Sequence, residues 1–229
     1  MKKIAAMLMA LVLLATTACG QQAQEQTGGT VEPGGQQEPS AAGQVDAADD
    51  MPEMGSVNGG VYTNEFAGIG CTLDETWVFY TEEQLAQVNG FFTDGTGDED
   101  MRKLMEDNKS VQDMQAASVD GLMTMGVTFQ NMGLLFGSTM SAQEYAELSA
   151  GQLPDELSVY GLENVTAAVT TATFAGEERP AVTLTATVQD IPMYELMICL
   201  KEGNYIYCVV LCSYTEDVTA EMAALFYAL

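Results

Sequence analysis

Carboxylates dominate the chemistry that this chain can offer. Thirty-three Asp and Glu stand against 7 Lys and Arg, and no histidine occurs in the 229 residues. The commonest general base and metal ligand is therefore missing, and neither Ser-His-Asp nor Cys-His catalysis can be assembled within the chain. What remains is acid–base work by paired carboxyls: Asp74-Glu75, Glu82-Glu83, Asp155-Glu156, Glu177-Glu178 and Glu216-Asp217. Two carboxyls about 5–9.5 Å apart in a cleft would suit hydrolysis of a glycosidic bond. The simpler reading is positional, because most of these pairs fall at turns or in the first turn of a helix, where the dipole favours negative charge. The acidic run Asp94-Gly95-Thr96-Gly97-Asp98-Glu99-Asp100 carries calcium-ligand chemistry without calcium-loop spacing. An EF-hand loop needs Gly at its sixth position and Glu at its twelfth; counted from Asp94 these are Glu99 and Met105. Asp98 reads instead as the N-cap of a helix over 98–108.

Sulfur is the second resource. Cys71, Cys199, Cys208 and Cys212 all fall in apolar, strand-like runs, where free cysteine behaves as a small buried hydrophobe. Cys208 and Cys212, four apart, share a face of a strand at too great a distance to bond. Cys199 and Cys208 flank a turn, so a bridge across that hairpin is open. Four thiols could hold zinc, but no CxxC pair is present. Met123, Met125, Met132, Met193 and Met197 belong to a set of 15 methionines. Thioethers select copper(I), yet methionine more often fills irregular gaps in a core. Neither a metal site nor a cofactor is expected from these residues.

Cys19 is a different case. Lys2 and Lys3 precede an apolar run over 4–15, and Thr16-Thr17-Ala18-Cys19 follows. A secretory h-region has about 7–15 residues, whereas a spanning helix needs about 20. Residues 1–18 thus read as a signal peptide. Ala18-Cys19 resembles the lipobox of bacterial lipoproteins, with Thr16 where Leu is usual. The resemblance implies a diacylglyceryl group, with fatty chains such as palmitate, on the Cys19 sulfur. Each buried methylene contributes about 0.8 kcal/mol, and two chains meet the requirement for stable anchoring. The competing reading is an ordinary secretory signal cut near Ala18. The expected location is extracytoplasmic, with the chain lipid-anchored to the cell membrane.

Residues 19–59 read as a lipidated cysteine and a disordered tether. The composition is Gln, Gly, Glu, Ala and Pro without aromatic residues, and it cannot offset the entropy of ordering. A flexible chain of this length spans roughly 35 Å. The net charge of −26 excludes nucleic acid as a partner, since phosphate recognition needs clustered Lys and Arg. It also favours solubility and draws cations or basic partners.

The elements that must position these residues lie in 60–229, one domain's length of chain. Strands are expected at 61–64, 69–73, 77–80, 114–117, 122–130, 165–174, 181–189, 193–200 and 205–213. Glu202-Gly203-Asn204 marks the turn between the last two. Thr81 with Gln84, and Ser141 with Glu144, have capping-box spacing and open helices. The Ser141 helix is expected to stop near Leu153, before Pro154. Val218, Met222, Leu225 and Phe226 predict an amphipathic helix over 215–228. The sum is an α+β fold, mainly an antiparallel sheet with flanking helices.

Tyr62-Thr63-Asn64, Gly68-Ile69-Gly70, Trp77, Thr81-Glu82-Glu83, Asp113-Met114-Gln115-Ala116, Ser141-Ala142-Gln143-Glu144-Tyr145 and Asn204-Tyr205-Ile206 occur in that order. This pattern resembles the PsbP-like α/β-sandwich module found in many lipoproteins of Gram-positive anaerobes. Asp74-Glu75-Thr76 stands where a Pro often precedes the Trp. The resemblance spans essentially all of 60–229. It implies a PsbP-like sandwich and, for a family mostly of unknown function, a binding or accessory role. The functional expectation is a membrane-anchored, non-catalytic binding or accessory module of the cell envelope. Its partners would be the membrane through Cys19 and an envelope protein or small ligand, with contacts at loops 93–100 and 130–140. A carboxylate-dependent hydrolase of extracellular glycan and a metal-binding lipoprotein are the alternatives.

Overall fold

The computed structural model describes residues 52–89, 110–133 and 137–229. Cys19, the tether, the 93–100 loop and the helix expected over 98–108 lie outside them. So do 134–136 of the 130–140 loop. Among the described residues no helix is long and apolar enough to cross a membrane.

The chain opens with β1 (Ser56–Asn58), upstream of the expected domain start at 60, and continues through β2 (Val61–Asn64), β3 (Ile69–Thr72) and β4 (Trp77–Phe79). Helix α1 (Glu82–Val88) follows, then β5 (Val111–Ser118), β6 (Met123–Asn131) and α2 (Ala142–Val159). Four long strands come next: β7 (Glu163–Phe174), β8 (Glu177–Val188), β9 (Ile191–Glu202) and β10 (Tyr205–Tyr214). The short α3 (Thr219–Ala223) and β11 (Phe226–Ala228) complete the order. Every strand pair is antiparallel. The strands form two sheets, β1-β2-β3-β11 and β4-β5-β6-β10-β9-β8-β7. The α+β arrangement of antiparallel sheet and flanking helices is therefore observed.

Strand β10 lies in the middle of the larger sheet and is buried at every position, as its unbroken apolar run requires. Its alternate residues feed two cores. Tyr205, Tyr207, Val209 and Leu211 join Met125, Val127 and Phe129 of β6 under the smaller sheet, with Tyr62, Ile69, Cys71 and Phe226. Ile206, Cys208, Val210, Cys212 and Tyr214 point the other way, into a core shared with Tyr145, Ala146, Leu153 and Leu157 of α2. The order of layers is small sheet, large sheet, helix.

Both capping boxes form. The Thr81 hydroxyl accepts from the Gln84 amide and Gln84 Oε1 from the Thr81 amide; Ser141 and Glu144 repeat the exchange. Two expectations are corrected. Helix α2 does not stop at Leu153 but runs through Pro154 to Val159. Its real terminator is Gly161, at φ +85°. The Gly161 amide donates to the Ser158 carbonyl and the Leu162 amide to the Leu157 carbonyl, a Schellman closure, and burial of Leu157 and Leu162 ties the last turns to the core. At the C-terminus, no single helix covers 215–228. Only Thr219–Ala223 is helical, with no side-chain cap at Val218. Phe226, Tyr227 and Ala228 instead pair with Cys71, Gly70 and Ile69 of β3. Pairing satisfies that strand's outer edge, and it seats Phe226 against Phe174, ring centroids 5.1 Å apart. Gly70 permits it, because a Cβ there would lie 2.6 Å from the Tyr227 ring.

Candidate functional site

The paired carboxylates do not gather. Asp74-Glu75 sits on the turn before β4, where Asp74 accepts from the Thr76 amide and hydroxyl at 2.9 and 2.5 Å; those bonds hold its carboxyl below the usual range. Glu82 and Glu83 occupy the exposed first turn of α1. Asp155 and Glu156 lie within α2, and partial burial raises the Glu156 carboxyl. At the β7–β8 turn, Glu177 pairs with Arg179 at 2.6 Å and Glu178 accepts from the Thr173 hydroxyl. Asp217, just before α3, accepts from the Thr219 amide and hydroxyl and holds the turn that enters the helix. These carboxylates stand at turns or on helices, and Glu216 lines the cavity described below.

Sulfur is likewise dispersed. Cys71 lies in one core and Cys199, Cys208 and Cys212 in the other, and none of the four is in a disulfide. Burial pushes the Cys71 thiol up to about 12. Cys199 and Cys208 are direct cross-strand neighbours, the register that the hairpin spacing anticipated, without a bridge. Met125 faces one core and Met193 and Met197 the other, so these thioethers do not converge. No three His, Cys, Asp or Glu side chains gather as a metal cage among the described residues.

Two buried carboxylates that the sequence did not mark as sites are more informative. Asp113 sits at the β5 bulge, where the register with β6 shifts between Gln112 and Met114. The extra residue turns its carboxylate toward the small sheet. There it accepts from the Gly55 amide at 2.7 Å, the Tyr62 hydroxyl at 2.5 Å and Asn64 Nδ2 at 2.8 Å. Asn64 Oδ1 in turn accepts from the Ala67 amide at 2.7 Å. Burial pushes the Asp113 carboxyl up, against the pull of those three donors. Burial and the Asp113 charge push the Tyr62 hydroxyl well up. Tyr62 and Asn64, on one strand, and Asp113, distant in sequence, thus form one clamp that joins the two sheets. Solvent does not reach it, so it serves the fold.

Glu195 is the other. It stands opposite Cys212 on β9 and β10, on the face toward α2. It is 3% exposed, and its Oε1 has no hydrogen-bond partner. Burial pushes its carboxyl up to about 7. Beside it the Cys212 thiol is raised, first by burial and then by the Glu195 charge; the Thr124 and Tyr214 hydroxyls lie next to the sulfur. A lone Glu in the apolar run 193–200 was the signal available. The cluster is sealed, so it tunes stability and meets no substrate.

The arrangement open to solvent lies at one end of the large sheet. A cavity of about 390 Å³ has Trp77, Leu122, Met123, Val218, Met222 and Leu225 among its walls. This volume falls in the range of small-ligand sites, about 300–1,000 Å³. Asp120, Glu216 and Glu221 add carboxylates to the lining, and all three side chains are exposed. The β5–β6 turn shapes one side. The Asp120 carboxylate accepts from the Ser118 hydroxyl at 2.6 Å and the Leu122 amide at 3.0 Å, which holds it below the usual range. Thr215, at φ +100°, turns the chain out of β10, and the Glu216 carbonyl accepts from the Ser213 hydroxyl at 2.7 Å. Such φ values are costly for a β-branched residue and cluster at functional sites. Val78, Val119 and Leu122, at 58, 69 and 41% exposure, extend apolar surface on β4 and the β5–β6 turn. Among the described residues the two cations are occupied elsewhere. Arg179 pairs with Glu177, and Lys201 donates to the Gly137 and Gly203 carbonyls. Composition signalled the acidity but not its convergence on Trp77, which depends on α3 folding back toward β4.

No protein-family model matches the chain, and no curated protein does. Among solved structures it is similar to LpqN, a protein involved in cell envelope biogenesis of Mycobacterium tuberculosis, at a TM-score of 0.34 and 7% identity. The match covers 68% of this chain and 75% of LpqN. A likeness of that size carries no argument about this chain's role.

Proposed function

We propose that this chain is an extracytoplasmic lipoprotein, anchored through lipid on Cys19, whose globular part is a non-catalytic binding module of the cell envelope. The observation that carries the binding role is the cavity walled by Trp77 and rimmed by Asp120, Glu216 and Glu221. An apolar wall with an aromatic ring and a rim of unneutralised carboxylates suits an amine or quaternary ammonium on an apolar body. Such a cation gains about 0.5–1 kcal/mol over an exposed ring, and more where water is displaced. The location rests on the signal-like residues 1–18 and on Ala18-Cys19. The convergence of Tyr62, Asn64 and Asp113 supports assigning the fold to PsbP-like sandwiches, since all three belong to the motifs that carry that resemblance.

Trp77 is the chain's one tryptophan, so its fluorescence reports on the cavity directly. Titration with hexyltrimethylammonium is expected to change that emission saturably, while hexanoate leaves it unchanged. The double variant Glu216→Gln, Glu221→Gln is expected to weaken binding at least about tenfold, which corresponds to about 1.4 kcal/mol. Equal responses to the cation and the anion, or an unaltered affinity in the variant, would defeat the proposal. The anchor is tested separately, by the mass of the mature N-terminal peptide.

A further inference from the structure

Strand β7 ends the larger sheet and pairs only with β8 among the described residues. The hairpin geometry determines which of its backbone groups are unused. Phe174 and Glu177 close a two-residue turn at Ala175-Gly176, both at positive φ (50° and 85°), as the tight hairpin turn requires. The closing pair of such a turn exchanges both hydrogen bonds, and bonded and non-bonded pairs then alternate. Ala172, Thr170 and Ala168 accordingly bond to β8. Thr173, Thr171, Val169 and Ala167 aim their N–H and C=O groups outward. Two observations agree with this parity. Thr171 is paired with Pro180, which has no N–H to give, and the Ala168 carbonyl is reached from the β8 side by the Thr183 hydroxyl.

An edge of this length is normally blunted by Lys, Pro or inward charge. Here residues 164–176 contain no charged residue and no proline, within a chain of net charge −26. Val169 on β7 is 39% exposed, and the helix that packs on this strand carries further exposed apolar residues: Leu148 at 39%, and Val159 and Tyr160, at 81 and 49%, where α2 leads into β7. Helix α2 packs on β7, so the helix and the strand edge form one surface.

We infer that this edge is an interface for a second copy of the chain, with two β7 strands pairing antiparallel about a two-fold axis at Val169. The charge pattern selects this occupant. Two strongly acidic bodies meet at the lowest electrostatic cost where neither carries charge, and this stretch is uncharged. In the stated register Thr171 faces Ala167, Thr173 faces Val165, and Glu163 falls opposite Ala175. No like charges oppose each other, and Glu177 is already held by Arg179. The outward backbone groups of one strand then satisfy those of the other, and the interface is isologous, as closed dimers require.

The test is sedimentation of the chain from residue 19 with Cys19→Ser, so that lipid does not drive association, from about 1 to 200 µM. A monomer–dimer equilibrium is expected, and it should tighten with added salt as the remaining repulsion is screened. Thr171→Pro removes one outward N–H and no bond to β8, and is expected to weaken the dimer at least tenfold. Val169→Glu, on a side chain already partly exposed, brings two carboxylates together at the axis and should do the same with an unchanged melting temperature. Thr170→Pro, which removes a bond to β8, should lower the melting temperature instead. A monomer over the whole concentration range, or a dimer indifferent to both Thr171→Pro and Val169→Glu, would overturn the inference.

Discussion

At the scale of single residues, the two buried carboxylates do more for this molecule than the exposed pairs. Glu195 makes the sharper case, because burial alone moves it. Its carboxyl titrates near 7 in the folded protein against an ordinary 4.5. The folded state therefore holds a proton that the unfolded chain releases above about 4.5. Its contribution to stability is complete below that pH and is lost as pH rises through 7. At 1.36 kcal/mol per unit the loss is up to about 3 kcal/mol. Glu195→Gln keeps the neutral shape without the titration. Melts followed by circular dichroism at pH 4.5, 6, 7 and 8 should show the variant close to the parent at 4.5 and more stable than it at 8. A constant difference across this range would refute the assignment. Asp113 is raised as well, so the Glu195→Gln variant should keep some slope of the same sign. Neither residue was legible as a site in the sequence, for a physical reason. A buried carboxylate is defined by what covers it, and Gly55, Tyr62 and Asn64 reach Asp113 only after two sheets have packed. The motif residues were legible; their meeting point was not.

At the scale of elements, local signals succeeded where one physical rule acted alone. Thr81 with Gln84 and Ser141 with Glu144 form the capping boxes that their spacing announces, and the turn between β9 and β10 falls at Gly203-Asn204 as those residues mark it. The reading failed where two rules competed. Pro154 removes one helical hydrogen bond, a cost of about 3 kcal/mol in a helix interior. Burial of Leu157 and Leu162, and closure at Gly161, outweigh it. At the C-terminus the apolar spacing of Val218, Met222, Leu225 and Phe226 fits a helix, yet the open edge of β3 offers three residues a ladder. All four side chains still face the same core, so the burial expectation survives a change of backbone. The balance in α2 can be measured. Pro154→Ala restores the lost bond and should stabilise by about 1–3 kcal/mol. Gly161→Ala places a Cβ at φ +85° and should cost about 1–2 kcal/mol. Hydrogen exchange should locate the second effect in the last turns of α2. If Gly161→Ala left the protection of that helix end unchanged, Gly161 would not be its terminator.

At the scale of the whole molecule, charge sets the behaviour. A body with 33 acidic and 7 basic residues repels itself, and compaction brings its carboxylates closer than they are in the unfolded chain. Among the described residues one ion pair, Arg179 with Glu177, relieves this, and the rim of the Trp77 cavity concentrates three of the charges around apolar wall. Screening should therefore stabilise the fold. Between 0.01 and 0.15 M salt the Debye length falls from about 30 to 8 Å, enough to separate carboxylates on neighbouring turns. Sodium chloride added over that range at pH 8 should raise the melting temperature; for a chain of this size each 1 kcal/mol gained reads as about 2–4 °C. The same addition at pH 4, where many carboxyls carry protons, should raise it much less. That contrast separates self-repulsion from the exclusion of salt from protein surface, which strengthens apolar burial at either pH. Equal shifts at pH 4 and pH 8 would mean that the acidity is tolerated without strain. An excess at pH 8 would mean that the folded state carries stored repulsion, which a cation bound at Asp120, Glu216 and Glu221 would release in part, coupling occupancy of the cavity to stability.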